Sequence, residues 1–317
     1  MENEIFEKIR LSRRDFLKRS AAVSLATLAL ESRRAVAAGS QPFRFTVTGD
    51  PREGLSAFRN VCREMQNKVG GVGPFHISAG DYYDDGTKTA DFYNALRNQF
   101  GNDVLWYPTV GNHEEGTPDM NWIRDHFSRL DYVVKPGPPG AEKTTYSWEF
   151  GDVHISQIDL YYGNWLNWLI EDLDNNTKPI VFVCYHEPQF PYGRGGKDNG
   201  PNTQFWNLLK EKKVVAGFCA HTHQYERGKY GGNDITWEID VGSAGRTSHW
   251  DGLYRFIDVQ IDGATVNFTT WSGSESGSFS ITDSWSEQVE GVAPSADLNQ
   301  DGVVNFLDLA MLLKKIL

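Results

Sequence analysis

Residues 217–227 read GFCAHTHQYER and place two histidines, His221 and His223, directly after a run of small and apolar residues. That run, residues 214–220, indicates a short buried strand. Residues two apart in an extended chain face the same way, so both imidazoles can address one small volume. Imidazole is the commonest side-chain metal ligand. The pattern predicts part of a metal site if other strand ends supply further ligands, and otherwise indicates two unrelated histidines in a turn.

The first half of the chain repeats a strand-helix pattern in which each strand ends in glycine and a polar residue. Strands are predicted over residues 43–48, 75–79 and 104–110, and helices over 55–69 and 89–100. In open α/β sheets, ligands bind at the carboxyl ends of the strands, where glycine lets the backbone turn sharply. The polar residues at these three strand ends are Asp50, Asp81, Asn112 and His113.

The second half of the chain follows the same logic. Strands are expected over residues 146–150, 153–160 and 179–185, with helices over 165–173 and 205–212. Late, mostly antiparallel strands are expected over residues 236–241, 254–261 and 264–271. The run 179–185 is apolar throughout, as expected for a strand buried on both faces, and it ends in His186. The two halves together predict an α/β fold of two packed sheets with helices outside.

The polar residues collected from the strand ends form a mixed nitrogen and oxygen donor set. Two carboxylates, one amide and three imidazoles suit Zn, Mn, Fe or Ni, and are too rich in nitrogen for a dedicated Ca site. Six donors exceed what one catalytic ion with an open position needs, so two ions are predicted. The six candidate ligands are Asp50, Asp81, Asn112, His186, His221 and His223.

The order of these motifs resembles that of the calcineurin-like metallophosphoesterases, over about residues 42–272. Within that superfamily, the tail Tyr225-Glu226-Arg227 is most similar to the purple acid phosphatase branch. The resemblance implies a four-layer α/β/β/α sandwich of two mixed sheets with a dinuclear metal centre. It also implies that Asp50 and His223 hold the first metal and that Asp81 bridges both metals. The second metal would be held by Asn112, His186 and His221.

The resemblance further implies a hydrolase in which a metal-bound hydroxide attacks phosphorus, because metal coordination lowers the pKa of water. His113 would then protonate or stabilise the leaving oxygen. The alternative is that His113 only forms a hydrogen bond to groups around the metals. Glu114 or Glu115 would orient the His113 ring. The expected substrate is a small phosphomonoester or phosphodiester.

The chain departs from the superfamily pattern around the first metal. Arg52 stands where most members have a histidine, and Asp84 stands where purple acid phosphatases have a tyrosine, with Tyr83 one residue earlier. The first metal would therefore take Tyr83, Asp84 or water as an extra ligand. A guanidinium stays protonated and cannot ligate a metal. Arg52 is instead predicted to bind a phosphate oxygen of the substrate.

Residues 1–38 are predicted to be a twin-arginine signal peptide. Arg13 and Arg14 precede an apolar stretch, residues 21–30, that is too short to span a bilayer, and a small-residue cleavage site follows at 35–38. A periplasmic or secreted protein, metallated before export, is expected, with no transmembrane segment after the signal is removed. The net charge of -11 argues against nonspecific nucleic-acid binding. The three cysteines predict no disulfide framework.

A serine- and glycine-rich linker is predicted over residues 273–296, followed by a calcium-binding loop. Residues 297–317 resemble a single dockerin type I repeat, which is EF-hand-like and ends in a helix. The family usually carries two repeats, so binding to a cohesin-like partner, pairing with another surface, and a solvated acidic tail all remain open. The predicted calcium ligands are Asp297, Asn299, Asp301, Val303, Asn305 and Asp308.

Two functions from different classes follow from these residues. The first is an exported dinuclear-metal phosphoesterase. The second is a metal-binding but non-catalytic adhesion or scaffold protein, tethered through the dockerin-like tail, in which the altered first-metal site has lost hydrolysis. Retention of His113 beside the predicted metals favours the enzyme, because a scaffold has no use for a proton donor there.

Overall fold

The computed structural model describes residues 42–84, 86–126, 133–189, 202–229, 235–246 and 251–292, together with residues 307, 308, 310 and 311. The chain divides into two compact units, one of residues 42–293 and one of the terminal segments 1–41 and 294–317. The predicted signal peptide lies outside the described residues. So does the predicted calcium loop, apart from Asp308, whose side chain is buried. Within the described residues, no helix is long and apolar enough to cross a membrane.

The first sheet has six strands, which are β1 (Phe43–Thr48), β2 (His76–Ser78), β3 (Trp106–Pro108), β11 (Tyr254–Asp262), β12 (Thr265–Gly273) and β13 (Ser280–Gln288). Their order in the sheet is β13-β12-β11-β1-β2-β3. The strands β1, β2 and β3 run parallel to one another, whereas β11, β12 and β13 pair antiparallel beside β1. Parallel pairing brings the residues that follow β1, β2 and β3 to one edge of the sheet.

The second sheet has seven strands, which are β4 (Val133–Pro136), β5 (Tyr146–Phe150), β6 (Val153–Gln157), β7 (Ile180–Cys184), β8 (Ala216–Cys219), β9 (Tyr225–Gly228) and β10 (Trp237–Val241). Their order is β4-β5-β6-β7-β8-β10-β9. The central strands β6, β7, β8 and β10 are parallel, and the outer pairs are antiparallel. The prediction of two mixed sheets is therefore confirmed.

The two sheets pack face to face around a core rich in aromatic side chains. The Phe45 ring of β1 lies 5.6 Å from the Phe182 ring of β7. The Phe75 ring meets the Trp148 ring of β5 edge-on at 4.5 Å, and Tyr107 stacks on Trp148 at 3.7 Å. All five side chains are buried, so the contact between sheets is held by apolar area removed from water.

Five helices within the described ranges cover the outer faces of the two sheets. The first three, α1 (Leu55–Val69), α2 (Thr89–Phe100) and α3 (Pro118–His126), contribute apolar side chains to a second core on the first sheet. The other two, α4 (Trp165–Asn175) and α5 (Thr203–Glu211), form a third core on the second sheet. Each helix turns an apolar stripe to its sheet, as the 3.6-residue periodicity predicts.

The predicted linker over residues 273–296 is wrong where it includes β13. This strand pairs with β12 along its whole length, with Phe268 opposite Trp285 and Thr269 opposite Ser284. Its residues are mostly Ser, Thr, Asp and Glu, and its side chains are exposed or half-buried in alternation. That alternation is typical of an edge strand with one face in water. The composition of such a strand, taken alone, resembles that of a linker.

Candidate metal centre

Six predicted ligands from the two sheets meet at one place. Asp50, Asp81 and Asn112 follow strands of the first sheet, whereas His186, His221 and His223 follow strands of the second. The Asp50 N–H donates to the Gly80 carbonyl at 3.1 Å, and the His221 N–H donates to Asp50 Oδ2 at 2.8 Å. These bonds join the loops after β1, β2 and β8, so the donors are held in register across the contact between the sheets.

Two glycines allow the loops to approach this closely, for different reasons. Gly80 has a φ of 95°, and a Cβ there would also lie 2.8 Å from His186 Nδ1. Gly111 has no unusual φ, but a Cβ there would lie 2.2 Å from Asp81 Oδ1. The expected sharp turn therefore holds for Gly80, whereas Gly111 is needed because the Asp81 carboxylate lies against its backbone.

Four of the candidate ligands have left-handed backbone conformations, which are uncommon for residues other than glycine. Such conformations persist only where surrounding contacts fix them, and they concentrate at functional sites. The φ values are 45° for Asp50, 62° for Asp81, 75° for His221 and 59° for His223.

One group of donor atoms surrounds the position predicted for the second metal. His186 Nε2 lies 3.2 Å from Asp81 Oδ1 and 3.2 Å from Asn112 Oδ1. His221 Nδ1 lies 3.0 Å from the same Asn112 oxygen. Spacings of about 3 Å are those of neighbouring ligand atoms that each lie about 2.1 Å from one ion. The other ring nitrogen of His186 bonds to the Ala79 carbonyl at 2.7 Å, which leaves Nε2 free to coordinate.

A second group surrounds the position predicted for the first metal. Ligand atoms of Asp50, Asp81 and His223 all lie within 4.8 Å of one another, and all three residues are buried. Asp50 Oδ1 has no hydrogen-bond partner among the described residues and lies 3.9 Å from His223 Nε2. A buried carboxylate oxygen without a partner is costly, and a cation between these atoms would satisfy it. The residues at both positions therefore fit metal ions.

The electrostatics of the centre also favour added positive charge. Burial raises the pKa of Asp50, and the carboxylates of Asp81 and Asp240 raise it further. Burial lowers the pKa of the His186 imidazole, but the Asp81 and Asp50 carboxylates outweigh burial and raise it to about 10. Burial likewise opposes ionisation of Asp81, yet His186 and His113 hold its pKa well below its usual value. The raised pKa values of Asp50 and His186 both favour positive charge in the centre, whether as a proton or as a metal ion.

Arg52 is also part of the centre, and its side chain is buried. Its Nε lies 3.2 Å from Asp81 Oδ2 and its Nη2 lies 3.4 Å from His223 Nε2. Its Nη1 donates to Glu53 Oε1 at 2.8 Å and to Asp84 Oδ2 at 2.9 Å. The guanidinium thus contacts two of the three residues around the first position.

His113 lies beside the shared carboxylate, as expected for a group near the reacting atoms. Its backbone N–H donates to Asp81 Oδ1 at 3.1 Å, and its Nε2 lies 3.9 Å from Asp81 Oδ2. The ring is about one-third exposed, so it borders both the centre and solvent. Burial lowers the pKa of His113, and the nearby Arg52 lowers it further, whereas Asp81 opposes both.

The sequence profile described as calcineurin-like phosphoesterase matches residues 43–225, which include all six candidate ligands. The chain belongs to the calcineurin-like phosphoesterase family. None of the curated proteins matches it significantly.

Solved structures share the fold of this phosphoesterase-family chain at low sequence identity. A Plasmodium protein, "GAP50 the anchor in the inner membrane complex", is 13% identical with a TM-score of 0.55, covering 79% of this chain and 90% of its own. A dimetal phosphatase from Danio rerio is 11% identical with a TM-score of 0.53, covering 78% of this chain and 99% of its own. At these identities the likeness concerns the fold alone.

The structure gives Glu114 a different role from the predicted one. Its buried carboxylate accepts backbone N–H bonds from both neighbouring loops instead of orienting the His113 ring. Burial and the Asp81 carboxylate raise the pKa of Glu114 to about 7, while the amide donors lower it. Glu114 therefore fixes the loop that carries Asp81 to the loop that carries Asn112. Its donors are the amides of Asp81 at 3.1 Å, Tyr82 at 2.7 Å, Tyr83 at 2.8 Å and Gly111 at 2.7 Å.

The two residues predicted as extra first-metal ligands have other contacts in this family member. Asp84 Oδ2 accepts a hydrogen bond from Arg52, and the backbone of Asp84 bridges to Thr87. Tyr83 donates its backbone N–H to Glu114. Asp84 is therefore engaged with the guanidinium, and ligation by Tyr83 stays a prediction.

Two buried acids on β10 support the histidine loops and were not identified from the sequence. Asp240 Oδ2 accepts from the Thr222 hydroxyl at 2.5 Å, which fixes the residue between His221 and His223. Glu238 Oε1 accepts from the Tyr185 hydroxyl at 2.7 Å, directly before His186. Two acids at alternate positions of an otherwise apolar strand must point to the same buried face, and that alternation was the available signal.

Proposed function

We propose that this chain is a dinuclear-metal phosphoesterase that hydrolyses phosphomonoesters or phosphodiesters. The observation that carries the proposal is the convergence of six nitrogen and oxygen donor residues, Asp81 and five others, from both sheets of a calcineurin-like phosphoesterase fold. Asp50, Asp81 and His223 would hold the first ion. Asp81, Asn112, His186 and His221 would hold the second, and the ions would be of the Zn, Mn or Fe class.

The residues of the chain would bind, orient and protonate the substrate. Bound ions would supply an activated water and withdraw charge from the phosphoryl oxygens. His113, fixed to Asp81 through its backbone N–H and open to solvent, would give a proton to the leaving oxygen. Arg52 was predicted to bind a substrate oxygen, but the structure places its donors on acidic residues and His223, so that contact would require a rearrangement.

The terminal segments extend the proposal to the location of the protein. A twin-arginine signal in residues 1–38 would export the folded domain to the periplasm or outside the cell. The loop with Asp297, Asn299, Asp301, Val303, Asn305 and Asp308 would bind Ca and attach the enzyme to a cohesin-like or cell-surface partner. Mass spectrometry of exported protein, and calcium binding by a chain with and without residues 297–317, would test these two proposals.

The second candidate function is a metal-binding scaffold without hydrolytic activity. The observation in its favour is Arg52, which contacts two residues of the first metal position. A scaffold would bind one ion or none and would not turn over phosphoesters.

Hydrolysis by metal-loaded protein distinguishes the two functions. Protein loaded with Mn or Zn is expected to release p-nitrophenol from mono- or bis-p-nitrophenyl phosphate. His113→Asn should lower kcat by about 100-fold or more while metal content is unchanged. The loss should grow with leaving groups of higher pKa, because these need the proton more. Absence of turnover by fully metallated protein on a broad phosphoester panel would exclude the enzyme.

A further inference from the structure

The guanidinium of Arg52 and a metal ion at the first position require the same atom. The Arg52 Nη2 lies 3.4 Å from His223 Nε2. A guanidinium has only donors, so in this contact Nε2 offers its lone pair. An imidazole nitrogen has one lone pair in the ring plane, and it cannot accept this hydrogen bond and coordinate an ion together. Binding of the first ion therefore requires Arg52 to release His223.

Among the described residues, no arginine or lysine contacts the donor atoms of His186, Asn112 and His221 at the second position. Its donor atoms on His186, Asn112 and His221 contact one another and Asp81 Oδ1, whereas the Arg52 Nε faces the other Asp81 oxygen. The two oxygens of the Asp81 carboxylate thus have different neighbours: Oδ1 faces the second metal position and Oδ2 faces the Arg52 guanidinium. An ion at the second position leaves the contacts of Arg52 with Glu53, Asp81, Asp84 and His223 intact.

Two acidic side chains can hold Arg52 after it releases His223. Nη1 is bonded to Glu53 and to Asp84, whose side chains are 36% and 26% exposed. Arg246 forms an ion pair with the other oxygen of Glu53, so the two arginines do not compete for one oxygen atom. Arg52 can therefore withdraw towards solvent while Nη1 keeps its ion pairs.

We propose that Arg52 is a built-in competitor of the first metal ion, so that the second position fills first and the first position binds its ion weakly. The inference rests on the proposed dinuclear phosphoesterase. Arg52 acts here as a positioning residue for the metal centre. At low metal concentration the protein carries one ion at the second position, with Arg52 on His223, and a second ion binds only when metal is abundant.

Titration of metal-free, full-length protein with Co or Mn tests this order. Calorimetry and metal analysis should show two binding steps whose dissociation constants differ by about 100-fold or more, because the weaker step displaces a cation from adjacent ligands. Arg52→Met has similar length but no charge and no donor. It should tighten the weaker step by about 100-fold and leave the tighter step unchanged.

Arg246→Met is the matched control, because Arg246 belongs to the same ion-pair cluster without contacting His223 or Asp81 in the described contacts. It should leave the weaker step within about threefold of wild type, a change below 1 kcal/mol. His223→Ala should remove only the weaker step in wild type, which assigns the steps even if Arg52→Met fails to fold. In His223→Ala, the visible spectrum of bound Co reports the loss of the nitrogen ligand at the first position.

Two wild-type steps of equal affinity, or a weaker step that Arg52→Met leaves unchanged, would overturn the inference. Turnover of p-nitrophenyl phosphate in the same samples separates this result from the proposed function. Well-separated steps without turnover would refute the phosphoesterase and leave the competition standing. Turnover together with two binding steps of equal affinity would support the phosphoesterase and refute the competition.

Discussion

At the scale of single residues, the geometry of the centre depends on a side chain that is not a metal ligand. Glu114 accepts four backbone N–H bonds and joins the loops of Asp81 and Asn112. Glu114→Gln keeps the shape but places an NH₂ group against buried N–H donors. We expect a loss of about 3 kcal/mol in the free energy of unfolding, because buried donors are left unpaired. Denaturant unfolding of metal-free protein measures this loss.

The neighbouring acid provides the control for Glu114. Glu115 is exposed, so Glu115→Gln should change the free energy of unfolding by less than about 0.5 kcal/mol. Metal affinity should also fall in Glu114→Gln and not in Glu115→Gln, because only Glu114 fixes the Asp81 loop. Equal stability of the two variants would show that the four amide bonds are not needed.

The candidate ligands could be predicted because each follows a recognisable strand, but their supporting contacts could not. Strand ends are visible in the periodicity of a sequence, and parallel strands must end at a shared edge. The contact between Arg52 and His223 joins residues 171 positions apart and depends on how two sheets pack. Local pattern carries no information on such a contact. For the same reason the sequence predicts a phosphate partner for Arg52, whereas its side chain lies among acidic side chains.

At the scale of elements, β2 contains a buried titratable group whose effect on stability can be measured. His76 is fully buried between the hydroxyls of Thr46 and Thr48 on β1, at 2.8 and 2.9 Å. Burial lowers the pKa of His76 to about 3. The unfolded chain, with a histidine pKa of about 6.5, binds a proton in this range that the folded chain does not. His76 therefore costs no stability above pH 6.5, and the free energy of unfolding decreases as the pH falls from 6.5 towards 3.

The prediction concerns the slope of stability against pH. Between pH 6.5 and 4, His76 should contribute up to about 1.4 kcal/mol of destabilisation for each pH unit. His76→Gln should cost stability at pH 7 but reduce that slope by about one proton. Urea unfolding in the presence of a chelator measures both chains without interference from bound metal. Parallel pH profiles for wild type and variant would contradict the prediction.

The helices and strands differ in how well the sequence predicts them. The bounds of β1, α1, α2 and β5 agree with prediction, because each has an apolar face with a clear period. The elements α3, β4, β9 and β13 were not predicted. The strands β9 and β13 expose or half-expose every residue, so their inward faces carry Tyr225, Arg227, Asp283 and Trp285 instead of an aliphatic pattern. Polar inward faces remove the periodic signal on which such predictions rest.

At the scale of the whole molecule, β13 is bonded to the edge of the other sheet. Asp283 accepts two bonds from Arg227 of β9, at 2.6 and 3.1 Å, and one from the Tyr225 hydroxyl at 2.8 Å. The Arg227 guanidinium also lies over the Trp237 and Trp285 rings, 4.7 and 4.0 Å from their centroids. The tail taken as a purple acid phosphatase signature thus has a structural role in holding the two sheets together.

This contact predicts a measurable stability for the supposed linker. Asp283→Asn should lower the free energy of unfolding by about 1 to 2 kcal/mol, because it removes a bidentate charged pair. Glu275→Gln, in the exposed turn before β13, should have no measurable effect. Thermal unfolding of the two variants compares them directly. If Asp283→Asn matched wild type, the bonds from Arg227 and Tyr225 to Asp283 would not be needed to hold the two sheets together.

The contribution of three candidate ligands from each sheet has a mechanical consequence. Sliding one sheet over the other by a single residue, about 3.3 Å, would separate the donors of either position beyond the reach of one ion. Metal affinity therefore measures the alignment of the sheets. A bound ion, held by ligands from both sheets, would in turn oppose sliding of one sheet over the other.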